Sequence, residues 1–320
     1  MIIVTGGSGF IGSHIVKALN QRGITDILVV DDLMESEKFE NLSDCVISDY
    51  MDRTEFIDSV CAGTLRRTDS IDAILHQGAC TDTMETDGRY MMENNYTWSR
   101  ELLCFAMDLA VPFVYASSGA VYGNSRSFSE DPENERPVNV YGYSKLVLDQ
   151  HVRTRLEDAP ATLVGLRYFN VYGQRERHKG RMASMVYRLY RQMVDEGVGR
   201  LFTGTGGYDD GEQRRDFVYV EDVVKANLHF ALDSRSPVRG VFNLGTGASR
   251  SFNDLAQALI RSLGRGRLEY VPFDERLSGR YQSFTEADLT RLGKLYREPF
   301  TPLEEGVREC VENWRQTGAS

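Results

Sequence analysis

A surplus of positive charge is missing from this chain: 37 lysines and arginines stand against 47 aspartates and glutamates, a formal net charge of −10. A phosphate backbone demands a basic face, and the cations here are scattered, so nucleic acid is not an expected partner. A disulfide framework and a zinc site are missing too. The five cysteines, Cys45, Cys61, Cys80, Cys104 and Cys310, are odd in number and none falls in a C-x-x-C spacing. Buried thiols in a reducing compartment are the expected state, and no metal is expected. No apolar run approaches membrane-spanning length, and the N-terminus enters a β-run with no charged segment and apolar core ahead of it. The protein therefore reads as cytoplasmic, without a membrane partner. Repeats and low-complexity tracts are absent, and 320 residues of ordinary composition suffice for one large core or two associated domains.

What is present begins at once. Ile2-Ile3-Val4-Thr5 is an apolar β-run that breaks into Gly6-Gly7-Ser8-Gly9-Phe10-Ile11-Gly12 and continues as a helix. Gly6 permits a tight strand-to-helix turn, Gly9 lets the backbone approach a pyrophosphate, and Gly12 lets the helix lie close on the strand. The spacing is G-x-x-G-x-x-G, one residue longer in its first gap than the dinucleotide fingerprint of classical dehydrogenases. A second β-run, Ile27-Leu28-Val29-Val30, ends in Asp31 and Asp32. That is roughly 20 residues beyond the glycines, where a carboxylate meets the adenosine ribose.

Further short β-runs follow at 73–75, 112–115, 163–166 and 241–244, with a weaker one at Val46-Ile47, and helical patterns lie between them at 13–20, 143–156, 182–194 and 220–232. This alternation predicts an α/β fold, a Rossmann-type doubly wound parallel sheet covered by helices. Beyond Gly173 the pattern loosens, which predicts a smaller interleaved α/β lobe. Ligands of such sheets sit beyond the carboxyl ends of the strands. There the chain carries His76-Gln77-Gly78-Ala79-Cys80, Ser117-Ser118, Asn170 and Gly245-Thr246-Gly247. Tyr141 and Lys145 are spaced i, i+4, one helical turn apart on one face. A phenol near an ammonium and a nicotinamide cation is favoured as phenolate, and Ser118 can hydrogen-bond the oxygen that the tyrosine protonates.

The stretches Thr5–Gly12, Ser117-Ser118-Gly119-Ala120-Val121-Tyr122-Gly123, Tyr141-x-x-x-Lys145, Arg167-Tyr168-Phe169-Asn170-Val171-Tyr172-Gly173, Arg215-Asp216-Phe217-Val218 and Asn243–Gly247 together resemble the extended short-chain dehydrogenase/reductase family. Order and spacing match across nearly the whole chain. His178-Lys179-Gly180-x-Met182-Ala183-Ser184, Gly279-Arg280-Tyr281-Gln282-x-Phe284-Thr285-x-Ala287-Asp288-Leu289 and Met91–Tyr96 are similar to the branch of that family whose members epimerise an ADP-activated heptose. The resemblance implies inversion at C6 of an ADP-heptose through a transient ketone, with a tightly bound nicotinamide dinucleotide taking and returning the hydride.

Residue by residue, the resemblance implies Tyr141 and Lys179 as the acid/base groups for the two faces, with Ser118 placing the sugar oxygen and Lys145 holding the nicotinamide ribose. His178 orients its loop. Cofactor positions are Gly6, Gly9, Phe10, Ile11, Gly12, Asp31, Asp32, Lys38, Arg53, Gln77, Gly78, Ala79, Cys80, Thr81, Asn94, Lys145, Val171 and Lys179. Substrate positions are Ser118, Asn170, Arg181, Arg188, Phe202, Thr203, Gly204, Thr205, Arg215 and Tyr281. Arg181 and Arg188 stand where familiar members have serine and histidine, Arg53 where a lysine is usual, and Gln174 where proline is frequent. Asp31 alone would favour NAD, whereas Lys38 and Arg53 suit a 2′-phosphate; the resemblance implies NADP. It also implies a homo-oligomer, a pentamer, and a place in lipopolysaccharide core synthesis. The dinucleotide domain is expected at about 1–170, 216–246 and 281–297 and the substrate domain at about 171–215, 247–280 and 298–320. Gly119 and Ala120 occupy the acidic positions that a nucleotide-sugar 4,6-dehydratase needs. A UDP-hexose 4-epimerase and a dinucleotide-binding regulator without turnover remain as alternatives.

Overall fold

Short runs that are apolar on both faces become strands of one sheet, because such runs are buried only between two layers of helix. In the computed structural model, which describes residues 1–274 and 281–318, seven strands pair. They are β1 (Ile2–Thr5), β2 (Ile27–Asp31), β3 (Asp49–Asp52), β4 (Ala73–His76), β5 (Phe113–Ser118), β6 (Leu163–Tyr168) and β7 (Arg239–Leu244). Their order is β7-β6-β5-β4-β1-β2-β3, and every pair is parallel. The chain winds one way through β1 to β3, returns to lay β4 beside β1, and winds the other way to β7. The crevice at that reversal is where a doubly wound sheet takes its ligand.

Three boundaries differ from expectation, each for a local reason. The edge strand forms at Asp49–Asp52 rather than Val46-Ile47; backbone pairing with β2 sets an edge strand, and Val46 is left exposed, its N–H and carbonyl bonded to the Asn20 side chain. The helix carrying Tyr141 spans Val140–Arg153, starting before Gly142 because the Asn139 carboxamide accepts from the Gly142 N–H at 2.8 Å. Gly142 is tolerated inside it because a Cβ there would lie 2.7 Å from the Ala120 carbonyl. The 182–194 pattern starts as a helix only at Met185, where Ser184 caps it.

The smaller lobe is assembled from separated pieces. Val198–Phe202 pairs with Arg267–Val271, Arg214–Arg215 with Arg250–Ser251, and Phe217–Tyr219 with Asn170–Tyr172. Its core is aromatic, with Trp314 of the last helix (Leu303–Thr317) packed on Tyr187 and Tyr190. No helix among the described residues is long and apolar enough to cross a membrane.

A buried ionic network joins sheet and helix. Asp149, fully buried, accepts from Arg167 Nε, Tyr115 Oη and Ser117 Oγ, each at 2.8 Å, and Arg167 also pairs with Glu135, which holds Arg153 at 2.5 Å. The Arg167→Met variant leaves the buried Asp149 charge without a cation, Glu135 keeping Arg153, and we expect it to lose about 3–5 kcal/mol of unfolding free energy, read from denaturant midpoints.

Candidate active site

The glycine turn fits the pyrophosphate of a dinucleotide. Gly6 has φ +64°, and a Cβ on Gly12 would lie 2.0 Å from the Gly6 carbonyl. The turn can close only with glycine at both places. Within it, the Ser8 Oγ is buried without a hydrogen-bond partner, an unsatisfied polar atom of the kind an entering ligand completes. The Ser8 N–H donates to Asp31 at 2.9 Å, tying the turn to the end of β2.

At that end the expected adenosine-side residues come together. Lys38 Nζ lies 3.1 Å from Asp31 and 2.9 Å from Asp32, and Arg53 pairs with Asp32 at 3.1 Å and donates to Asn94 at 2.7 Å. Burial works against the Lys38 charge, but the two carboxylates outweigh it and raise its pKa. Two cations thus stand at the end of β2, each held on a carboxylate.

On the other side of the crevice, Thr5 Oγ1 meets His76 Nδ1 at 2.6 Å and accepts from the Gly78 N–H at 3.2 Å, so β1 and the loop after β4 are locked together. Burial, reinforced by the Lys145 charge, pushes His76 down to about 3; it is a neutral structural imidazole. Gln77 bonds Asn227 and Tyr168, and Asn95 brackets both backbone groups of Cys80. Gly78, Ala79 and Thr81 complete this loop, and Ile11 and Val171 are half-buried on their own elements, packed against the cores of both lobes.

The residues expected at the reaction centre gather where β5 ends. Ser118 is the last residue of β5 and caps the following turn at Ala120 N, 3.1 Å away. Lys145 is buried and donates to the Ala116 carbonyl at 2.8 Å; burial pulls its pKa from 10.5 to about 8, against the opposing Asp149 charge. Burial is also the largest influence on Tyr141 and raises its pKa, while Ser118, its hydrogen-bond partner, lowers it. The net direction is upward, so the chain alone does not produce the phenolate expected beside an ammonium.

The sugar-side positions gather in the smaller lobe. Buried Arg215 lies 4.8 Å under the Tyr281 ring and 5.5 Å from that of Phe252, with no carboxylate partner among the described residues. Phe202 packs edge-on to Tyr281, the Thr203 N–H donates to Val271 at 2.8 Å, Gly204 is crowded by the Tyr208 carbonyl, and Thr205 accepts from Tyr208 N. Asn170 is exposed beside Thr285. Gly279 and Arg280 of the expected motif lie outside the described residues.

Lys179 is placed differently from the other acid/base candidate. Its Nζ stands 4.7 Å from the Phe10 ring centroid and 3.3 Å from Glu176, and none of its contacts among the described residues is with Tyr141, Ser118 or Lys145. Arg181 is committed to an ion pair with Asp82 across the crevice, and Arg188 is exposed on its helix. Residues to which the sequence assigned no role do much of the positioning. Asp149 lies one turn beyond Lys145, a spacing that could have revealed it. Buried Asp216 holds Thr246, Gly247 and Ala287 by their N–H groups, between 2.7 and 3.0 Å. Nothing in the sequence marked Glu176 or Asn41.

Residues 2–245 match the NAD dependent epimerase/dehydratase family. The chain belongs to that family. Among its curated members, the protein named ADP-L-glycero-D-manno-heptose-6-epimerase of Alkalilimnicola ehrlichii is 53% identical over 317 residues, covering 98% of this chain and 97% of its own length. The protein of the same name from Thiobacillus denitrificans is 50% identical over 331 residues, 98% of each chain. A solved structure of the Helicobacter pylori protein of that name superposes with a TM-score of 0.83 at 32% identity, covering 98% of this chain and 96% of that one. The family's nicotinamide cofactor suits the glycine turn and the cation pair described above.

Lys145 gives a pH signature. Its folded pKa of about 8 lies below the unfolded value near 10.5, so the unfolded state binds the extra proton between these limits. Stability contributed by this site therefore rises as pH climbs from about 8 to 10.5, by on the order of 3 kcal/mol. Lys145→Met should lack that rise, so the unfolding free energy of the parent minus that of the variant, from denaturant titrations, should increase over this range.

Proposed function

We propose that the chain is an ADP-glyceromanno-heptose 6-epimerase that interconverts ADP-D-glycero-β-D-manno-heptose and its L-glycero epimer, a cytoplasmic supplier of lipopolysaccharide core precursor. The observation that carries this reading is the presence of two proton-transfer candidates on separate elements. Tyr141 sits with Ser118 at the end of β5, and Lys179 sits on a turn of the smaller lobe. Inversion at an unactivated carbinol needs a proton group for each face. The bound nicotinamide supplies a hydride acceptor that becomes the donor for the return.

The chain's own residues divide the remaining work. Ser118 holds the C6 oxygen, Tyr141 takes its proton, and Lys145 holds the ribose at the end of β5. Lys179 serves the oxygen when the ketone presents its opposite face. Arg215, buried without a counter-ion among the described residues, binds the diphosphate, for which a guanidinium fork is suited; Arg188, Asn170, Phe202 to Thr205 and Tyr281 shape the rest of the substrate site. Lys38 and Arg53 make NADP the preferred cofactor. The domains divide as the motifs suggest, with 1–170, 216–246 and 281–297 for the dinucleotide and the intervening segments for the sugar. Assembly is as a homo-oligomer, a pentamer.

The purified protein, given ADP-D-glycero-D-manno-heptose in deuterated water without added reductant, should form the L-epimer with no deuterium at C6 by NMR. Turnover only of a UDP-hexose would transfer the case to a 4-epimerase. Tyr141→Phe should slow turnover on the order of a hundredfold or more with cofactor retained, and Lys179→Ala should slow conversion of at least one epimer; unchanged rates would remove each from the mechanism. Acid extraction should release NADP rather than NAD, and light scattering should report the pentamer.

A further inference from the structure

The turn that carries Lys179 is fastened at two points, and the second has no role in the chemistry described so far. The first fastening is Glu176, whose buried carboxylate accepts from Gly173 N at 3.2 Å, Ser184 N at 2.6 Å, Ser184 Oγ at 2.7 Å and Lys179 Nζ at 3.3 Å. It closes the segment from Gly173 to Ser184 on itself. The second fastening faces outward: His178 Nδ1 lies 3.1 Å from Asn41 Nδ2, and the same Nδ2 donates to the Ser8 carbonyl of the glycine turn at 2.9 Å. Asn41 is buried, and its own carbonyl accepts from Arg175 of the same small-lobe segment.

The protonation state follows from the geometry. A carbonyl at Ser8 can only accept, so the NH2 end of the Asn41 amide must face it. The remaining N–H of that amide points at His178 Nδ1, which therefore must accept. An imidazolium has no lone pair there, so the contact requires neutral His178 with its proton on Nε2. The surroundings agree. Burial, Lys179 of its own turn and Lys38 from across the crevice lower the pKa of His178 to about 4, with Asp31 opposing. The neighbouring Arg177 is itself matched to Glu37 and Glu40 at 3.8 and 3.7 Å.

We propose that His178 is a positioning residue: as a neutral acceptor from Asn41 it fastens the Lys179 turn to the glycine turn, so that Lys179 is delivered to the crevice by the same element that cradles the dinucleotide. This rests on the reading of Lys179 as a group that serves the substrate. Through it, the cofactor cradle and the second acid/base group become one mechanical unit although they belong to different lobes.

His178→Ala removes the acceptor, and His178→Gln restores one, since a carboxamide oxygen can take the Asn41 N–H. In the full-length protein, His178→Ala should lower kcat about tenfold with KM changed less than twofold and with bound nucleotide retained, and His178→Gln should recover most of the loss. In a Lys179→Ala background the His178→Ala substitution should cost less than twofold, because its effect passes through Lys179. Independently of turnover, the rate of Lys179 acylation by an amine-reactive ester, followed by peptide mass spectrometry, should rise severalfold in His178→Ala and return towards the parent in His178→Gln. Losses that multiply in the double variant, or acylation rates equal in all three proteins, would overturn the proposal. The acylation comparison stands even if the parent protein turns over no ADP-heptose, an outcome that would count against the functional reading alone. If His178→Ala does not fold, the Gln variant against the parent decides by the same two readouts: rates unlike the parent's overturn the proposal.

Discussion

The Asp149 carboxylate, buried between a helix and two strands, is the contact on which the placement of Tyr141 and Lys145 depends. It takes hydrogen bonds from Tyr115 and Ser117 on β5 and from Arg167 on β6. A buried carboxylate is costly unless it is matched, and here a guanidinium and two hydroxyls match it. Tyr141, Lys145 and Asp149 fall on successive turns of one helix face, so fixing Asp149 against the sheet fixes the depth and rotation of the other two. The depressed pKa of Lys145 is a consequence of the same burial, moderated by the Asp149 charge. Placement and electrostatics of the centre thus have one origin.

The irregular segments beyond the sheet use the same device twice. Asp216 gathers three backbone N–H groups from the turn after β7 and from the segment at Ala287, while Glu176 gathers the ends of the Lys179 turn. In each case a carboxylate with no exposed oxygen holds irregular backbone that neither helix nor sheet would hold. Irregular segments are where a sugar nucleotide must be met from several directions, and internal acids let them be rigid without regular pairing.

Much of this was legible from residue types alone. All the strands but β3 announce themselves as apolar runs, and the glycine turn, Asp31, Ser118, Tyr141 and Lys145 stand at or just beyond the ends of those runs, where sheet topology gives them meaning. The edge strand was misplaced because its partner's backbone, not its own side chains, selects it: Asp49–Asp52 has polar residues at both ends and pairs all the same. The Tyr141 helix was started late because Gly142 reads as a break unless the Asn139 cap and the closeness of Ala120 are known. Glu176 and Asn41 were invisible for a deeper reason. The i, i+3 spacing of Glu176 and Lys179 is compatible with an ion pair, but the Ser184 contacts of Glu176 and the Ser8 and His178 contacts of Asn41 are chosen by tertiary folding, and no spacing in the chain foreshadows them. Arg181 shows the converse: a cation suited to an anion is instead taken by Asp82.

The interleaving of the lobes bears on how the protein comes into being. The aromatic core of the smaller lobe joins Tyr172, Tyr187, Phe217 and Phe252 to Trp314, and the last helix presses so closely that a Cβ on Gly306 would meet the Tyr172 hydroxyl at 2.2 Å. During synthesis the sheet from β1 to β6 can pair as it emerges, since its contacts are with chain already made. The sugar-side half has no such order: its earliest strand waits for a helix more than a hundred residues downstream. A ribosome-bound chain can therefore close its glycine turn and pair the strands beside it well before the last helix, on which the smaller aromatic core depends, has been made.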